Sequence, residues 1–297
     1  MKLINESALL IEIEEFILNV VDYVRQPRDF YCKLAHLLMD FKTIYNDDFA
    51  YFGVLQAFIT LMYEMGDNMG FSQSTTLRIE YANLEDQLRN IGFNEIQRDF
   101  KSYVRKHKSH IRSHRFSERQ NRNRLDERMR EISQRYARIL VVRVDLAYLK
   151  NQQHLINIED FYQDINKLRD FIGNKDKSFQ GLVEYAWALE QGESKGYHCH
   201  LLLVYKGYEH QNAYGIAKAV GECWKEITGD TGCYFNCHDP SYLEQYENKG
   251  CVGIGMIYRA DTQQIENMLN TVSYLVRPEK EDQHLRVKTS KRMRTFG

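Results

Sequence analysis

The stretch Tyr197-His198-Cys199-His200-Leu201-Leu202-Leu203-Val204 restricts the fold more than any other part of the 297-residue chain. Two histidines followed by an unbroken run of large apolar residues read as a β-strand buried on at least one side. Side chains alternate across a strand, so His198 and His200 project from one face while Cys199 and Leu201 turn to the other. The segment Leu182–Glu190 alternates in the same way. It puts Glu184 and Glu190 on one face and Val183, Tyr185, Trp187 and Leu189 on the opposite one. The glycine-bearing stretch between the two segments, ending in Lys195-Gly196, reads as a hairpin loop. Two imidazoles standing side by side can share one divalent metal, and Glu190, at the end of the paired strand, is the expected third ligand. Glu184 and Asp145 remain open for that third position.

Around this hairpin the periodicity predicts a β-α-β-β-α-β-β-α order. Ile139–Tyr148 is the first strand, with Arg143 and Asp145 on one face. Ile158, Phe161, Ile165, Leu168 and Ile172 mark a helix stopped at Gly173. A further helix covers about 211–227, two short strands cover Gly232–Cys237 and Cys251–Tyr258 with a Pro240 loop between them, and a last helix runs from about Thr262 to Arg277 before Pro278. Such an order predicts an α+β domain on a ferredoxin-like plan, with an antiparallel or mixed sheet, helices on one side, and the histidine pair looking out from the open face. In the last helix Ile265, Met268, Leu269, Val272, Leu275 and Val276 form the apolar face, which places Tyr274 on the far side with Asn267, Asn270 and Arg277. A phenol off the core face of a helix is available for chemistry. Cys233, Cys237 and His238 invite a zinc reading, but their spacing is not that of a closed four-ligand site, and reduced thiols are the simpler expectation.

The first hundred residues read as a helical bundle, residues 101–134 as a basic connecting helix or linker, and 135–297 as the domain that carries the histidines. Charge separates them: residues 1–100 hold 8 Lys and Arg against 16 Asp and Glu, the remainder 32 against 25. Lys101, Arg105, Lys106, Lys108, Arg112 and Arg115, with Arg143 and the C-terminal Lys280, Lys288, Lys291 and Arg292, are the candidate contacts to a nucleic-acid backbone. No run of about 18 apolar residues marks a membrane span, and no secretory leader is recognised at the N-terminus. Six cysteines without such a leader are expected as reduced thiols, and the chain as cytoplasmic.

Five blocks in this order resemble a known family: Val142-Arg143-Val144-Asp145-Leu146, Gly196-Tyr197-His198-Cys199-His200, Val252-Gly253-Ile254-Gly255-Met256, Ser273-Tyr274-Leu275-Val276 and Arg294-Thr295-Phe296-Gly297. They are similar to the replication proteins of filamentous phages, the inovirus gene-two-product family with its YagK/YfjJ-type C-terminal domain, within the HUH endonuclease superfamily. Cys199 stands where the His-hydrophobic-His motif has its middle residue, and the resemblance covers roughly residues 135–297. It implies a rolling-circle replication initiator that nicks single-stranded or hairpin origin DNA, keeps the 5′-phosphate as a phosphotyrosine, frees a 3′-hydroxyl and later rejoins the strand. It further implies Mg²⁺ or Mn²⁺ held by His198, His200 and Glu190, Tyr274 as nucleophile, and host replication machinery as a partner. Arg277, on the same side of the helix as Tyr274, is the expected catalytic cation in a place where members commonly carry lysine, and only one tyrosine lies on the polar face of this helix; Tyr242, Tyr246 and Tyr258 are the remaining choices for a second. Two other readings use the same residues: a nucleic-acid-binding regulator without nuclease activity, and a transposase or conjugative relaxase.

Overall fold

The computed structural model describes residues 3–68, 77–275 and 283–297. It is a mixed α+β structure with antiparallel strands and a helical N-terminal part, and it divides into two compact units. Residues 1–113 and 286–291 form the first; residues 114–285 and 292–297 form the second.

The first unit contains α1 (Glu6–Asp22), α2 (Phe30–Ile44), β1 (Ala50–Tyr51), α3 (Leu55–Asn68), α4 (Leu77–Ile91) and the opening half of α5 (Phe93–Arg135). Asn5 caps α1 by accepting from the Ala8 N–H; of the apolar residues at helical spacing, Leu10, Ile13, Phe16, Ile17 and Val20 are buried, whereas Val24 falls past the end of the helix at Asp22 and is exposed. Pro27 and the Asn46-Asp47-Asp48 cluster fall between helices. β1 pairs antiparallel with a two-residue strand, Val287–Lys288, from near the C-terminus. Beside that strand Arg286 makes a buried ion pair with Glu14 at 2.7 Å.

The second unit is built on a five-stranded antiparallel sheet: β2 (Arg138–Tyr148), β3 (Leu182–Gly192), β4 (Gly196–Lys206), β5 (Gly232–Asn236) and β6 (Gly255–Tyr258). β2 is central. β4 runs along one of its edges, and β3 lies outside β4. Its other edge is shared end to end, with β6 covering residues 138–141 and β5 covering 144–148. At the break the Arg143 N–H donates to His238 Nε2 at 3.1 Å, so a buried side chain supplies the acceptor that a continuous strand would have supplied. Residues 295–297 pair along β3 through bonds between Trp187 and Gly297 and from Leu189 to Thr295.

Helices cover both faces, which corrects the expectation of an open one. On one face lie α6 (Ile158–Asn174) and α7 (Ala213–Ile227). The Phe161 ring stacks on Tyr197 with centroids 5.5 Å apart, and Trp224 Nε1–H donates to the Ala147 carbonyl. On the other face Leu125 and Met129 from the second half of α5, and Met268, Leu269, Val272 and Leu275 from α9 (Thr262–Leu275), enclose Ile139, Val141, Ala186, Leu202 and Val204. Burying each of these large side chains is worth roughly 1.5–3 kcal/mol, so a basic helix with one apolar stripe suffices to close the face. The expected Pro240 loop is instead a short helix, α8 (Pro240–Glu247). Asp239 caps it through the Ser241 N–H, and Pro240 sits at the first turn where its missing N–H is harmless. The strand expected from Cys251 begins only at Gly255.

Candidate metal centre

The β3–β4 hairpin closes at the Gly192–Gly196 pair, and Gly196 takes φ +61°, a left-handed value that suits glycine. That register sets Glu190 directly opposite His198 and Ala188 opposite His200. On the other side of β4, Asp145 lies opposite His200. All four polar side chains therefore share the face covered by α5 and α9. His198 and His200 are only 2% and 3% exposed, so they lie within the domain rather than on an open sheet surface.

The tautomers follow from the partners. His198 Nδ1–H donates to the Gly196 carbonyl at 3.0 Å, which can only accept, leaving Nε2 for the site. His200 Nδ1–H faces Asp145 Oδ1 at 2.7 Å, which leaves its Nε2 for the site as well. Arg143 Nη2 also lies 3.4 Å from His200 Nδ1, but two donors cannot bond each other, and the shorter carboxylate contact sets the ring. Glu190 Oε2 lies 3.3 Å from His198 Nε2 and 3.2 Å from His200 Nε2. Among the described residues, Glu190, His198 and His200 are the group whose ligand atoms come within 4.8 Å of one another. Two imidazole nitrogens and one carboxylate, each ring fixed by a second partner on its far nitrogen, fit a divalent cation and leave positions open for water and phosphate.

Of the three carboxylates open for the third position, the geometry favours Glu190. Asp145 approaches His200 from the wrong nitrogen, and Glu184 is paired with Arg128. Burial works against an ionised Asp145, but the hydrogen bond from His200, then the charges of His200, Arg143 and Lys195, outweigh it and hold the carboxyl well below its ordinary range. Burial likewise works to lower His200, and its bonds to Asp145 and Glu190 raise it overall.

Arg143 joins this group to the tyrosine. Its guanidinium contacts Asp145 at 3.2 and 3.4 Å, and its Cζ lies 5.5 Å from the centre of the Tyr274 ring. Tyr274 itself is 39% exposed, off the core stripe of α9 as its helical position predicts. The preceding Ser273 hydroxyl donates to Asp126 of α5 at 3.2 Å and so ties the helix beside the tyrosine. Arg277 and Lys280 lie outside the described residues.

The remaining predicted cations are spread over both units. In the first, Lys101, Arg105, Lys106, Lys108 and Arg112 are exposed on α5, and Lys101, Arg105, Lys108 and Arg112 recur at the spacing of one helix face. Lys291 is exposed, whereas Lys288 is half-buried over the Phe52 ring, and burial lowers its pKa. In the second, Arg115 is half-buried, Arg292 is exposed, and Arg143 is buried at the metal group with 7% exposure. Sequence reasoning did not find Lys195, whose Nζ lies 3.8 Å from Asp145 Oδ2 at the hairpin turn, nor the role of His238 at the sheet break. No signal within either segment marks these contacts, because each depends on pairing between distant strands. His238 Nε2 accepts from the Arg143 N–H, and among the described residues Cys233, Cys237 and His238 do not bring their ligand atoms together as Glu190, His198 and His200 do.

No described helix is long and apolar enough to cross a membrane. A family model described as the YagK/YfjJ C-terminal domain matches residues 93–297. No curated protein and no solved structure matches the chain.

Proposed function

The chain belongs to the YagK/YfjJ C-terminal domain family, and we propose that it is a metal-dependent, site-specific single-strand DNA endonuclease and joining enzyme of the HUH type, acting as a rolling-circle replication initiator. The observation that carries this reading is the pairing of two sites by one residue. Arg143 touches the carboxylate that orients His200 and also lies against the ring of Tyr274. A metal centre alone would fit many reactions. A phenol beside the same guanidinium favours attack on an anionic phosphorus, since a neutral phenol is a weak nucleophile and needs an electrophile whose charge is neutralised. A divalent ion, when bound by Glu190, His198 and His200, supplies charge neutralisation at the non-bridging phosphate oxygens.

The chain's own residues do the rest. Arg143 holds the phosphate facing Tyr274. The Tyr274 oxygen forms a bond to phosphorus as its proton passes to water, the P–O3′ bond breaks, and the departing 3′-oxygen takes a proton from solvent. The 5′-phosphate stays on the protein, and attack by a 3′-hydroxyl on the same phosphorus reverses the step and rejoins the strand. The exposed row Lys101, Arg105, Lys108 and Arg112 suits backbone binding without base readout. The hairpin and central strand that carry the metal group, between helical layers, support a relation to the ferredoxin-like plan of such nucleases.

The test mixes the protein with end-labelled single-stranded DNA and Mn²⁺ and looks for an adduct that survives denaturation. We expect the adduct from wild type, and none from Tyr274→Phe or with chelator. Calorimetry is expected to show Mn²⁺ binding retained by Tyr274→Phe and lost by the His198→Ala, His200→Ala double variant. Tight DNA binding by wild type with no adduct would replace the enzyme by a DNA-binding regulator, and an adduct from Tyr274→Phe would move the nucleophile elsewhere.

A further inference from the structure

Beyond the metal group, Arg143 and Tyr274 also form part of the wall of a separate pocket of about 310 Å³. Its other walls come from the segment between β5 and β6 and from α9: Tyr242 and Tyr246 of α8, Val252 and Ile254 of the following loop, and Asn270 with Thr271. We propose that this pocket holds one unstacked base of a single-stranded nucleic acid, the base next to the phosphate that Tyr274 attacks. The proposal rests on the endonuclease reading above and adds to it a source of sequence preference.

Size is the first argument. Ligand pockets run from roughly 300 to 1,000 Å³, and one at the lower end accepts a single planar heterocycle with its sugar but not a stack of bases. Chemistry is the second. The lining is mainly aromatic and aliphatic, and Asn270 adds an amide-bearing side chain of the kind that can meet the polar rim of a base. Tyrosine rings form stacking platforms for single strands because every base presents a π-face. Tyr242 and Tyr246 hold each other, with hydroxyls 3.1 Å apart and ring centroids 5.2 Å apart, and Phe235 braces Tyr242 edge-on at 4.9 Å. Such rings are set in place before a ligand arrives. The third argument is continuity: among the described residues, Arg143 supplies the guanidinium on the pocket wall, so a phosphate at Arg143 leaves its attached base at the pocket mouth.

The loop wall is held against α9 by a side-chain hydrogen bond and by close packing of its backbone. Asn267 Nδ2–H donates to the Gly250 carbonyl at 2.9 Å, and Gly253 packs so closely on α9 that a Cβ there would stand 2.1 Å from the Asn267 carbonyl oxygen. A pocket with one rigid wall discriminates between bases by shape.

The test uses random-sequence single-stranded oligonucleotides with Mn²⁺, and sequences both sides of the cut in the captured adducts. Wild type is expected to favour particular bases at one position beside the cut. Tyr246→Ala, and Cys251→Trp at the exposed rim, should still form adducts but lose that preference by about tenfold, the scale of one stacking contact. A second measurement avoids chemistry: Tyr274→Phe protein in chelator binds oligothymidine carrying one 2-aminopurine, whose fluorescence should change at one position and not do so when Tyr246→Ala is added. Adducts without base preference, or a preference that both pocket variants keep, overturn the pocket. No adduct together with a position-specific 2-aminopurine signal sinks the nuclease reading and leaves the base site standing; loss of both signals removes both.

Discussion

Removing Asp145 should separate the metal group from the fold that supports it. This carboxylate holds His200 Nδ1 at 2.7 Å and is the ion-pair partner of Arg143, a residue only 7% exposed. In Asp145→Ala the His200 ring loses the bond that fixes its tautomer and direction. Outer-shell losses of this kind weaken metal binding by about 10- to 100-fold, or roughly 1.4–2.8 kcal/mol. The second effect falls on folding, because a buried guanidinium stripped of its partner costs about 3–5 kcal/mol. Lys195, half exposed and 3.8 Å from the carboxylate, adds little to either figure. Asp145→Asn pulls the effects apart: its amide oxygen still accepts from Nδ1–H, so Mn²⁺ affinity should fall tenfold at most, while most of the stability loss remains. The assays are Mn²⁺ titration calorimetry at pH 7.5 and urea denaturation of the metal-free protein. Unchanged Mn²⁺ affinity in Asp145→Ala would refute the orienting role. Loss as complete as in His200→Ala would make Asp145 a direct ligand and displace Glu190 from that position.

Two further outcomes are expected. Gly253→Ala places a methyl group 2.1 Å from both the Asn267 carbonyl oxygen and Thr271 Oγ1, so the loop must move off α9; a destabilisation of ~1–3 kcal/mol in urea denaturation is expected, and an unchanged midpoint would disprove the close approach. His238, whose pKa burial pushes down to about 4, binds a proton more readily unfolded than folded; its contribution is therefore whole above about pH 6.5 and lost as pH falls toward 4, roughly 2 kcal/mol between pH 7.5 and 5, and His238→Gln should shrink that pH dependence by a similar amount.

The metal hairpin was legible because strand alternation is local: Glu190, His198 and His200 needed only a period of two and a short loop to meet. Tyr274 was legible for the same reason on a helix, since its position off the apolar stripe follows from sequence spacing. The covered second face was not foreseen, although its signal lies in Leu125, Met129 and Ile132, a short apolar stripe inside a stretch dominated by arginine. α8 also had a signal, the Asp239-Pro240 cap and first turn, which reads equally as a loop when proline is taken only as a breaker. The meeting of Asp145 with His200, the shared edge of β2 and the pairing of Val287–Lys288 with β1 depend on register between distant segments, and no local pattern encodes that.

The shared edge of β2 also divides the domain's labour. Every candidate metal ligand lies on the β3–β4 hairpin, while the pocket beside Tyr274 takes much of its wall from the segment joining β5 to β6. Beyond His238, which completes the break at Arg143, that segment can change length or sequence without altering the β3–β4 pairing that sets the ligands. Under the proposed reading, relatives built on this plan are free to diverge in the base they select while keeping the same chemistry, and grafting residues 239–254, which leaves His238 at the sheet break, should carry the selectivity across with the loop.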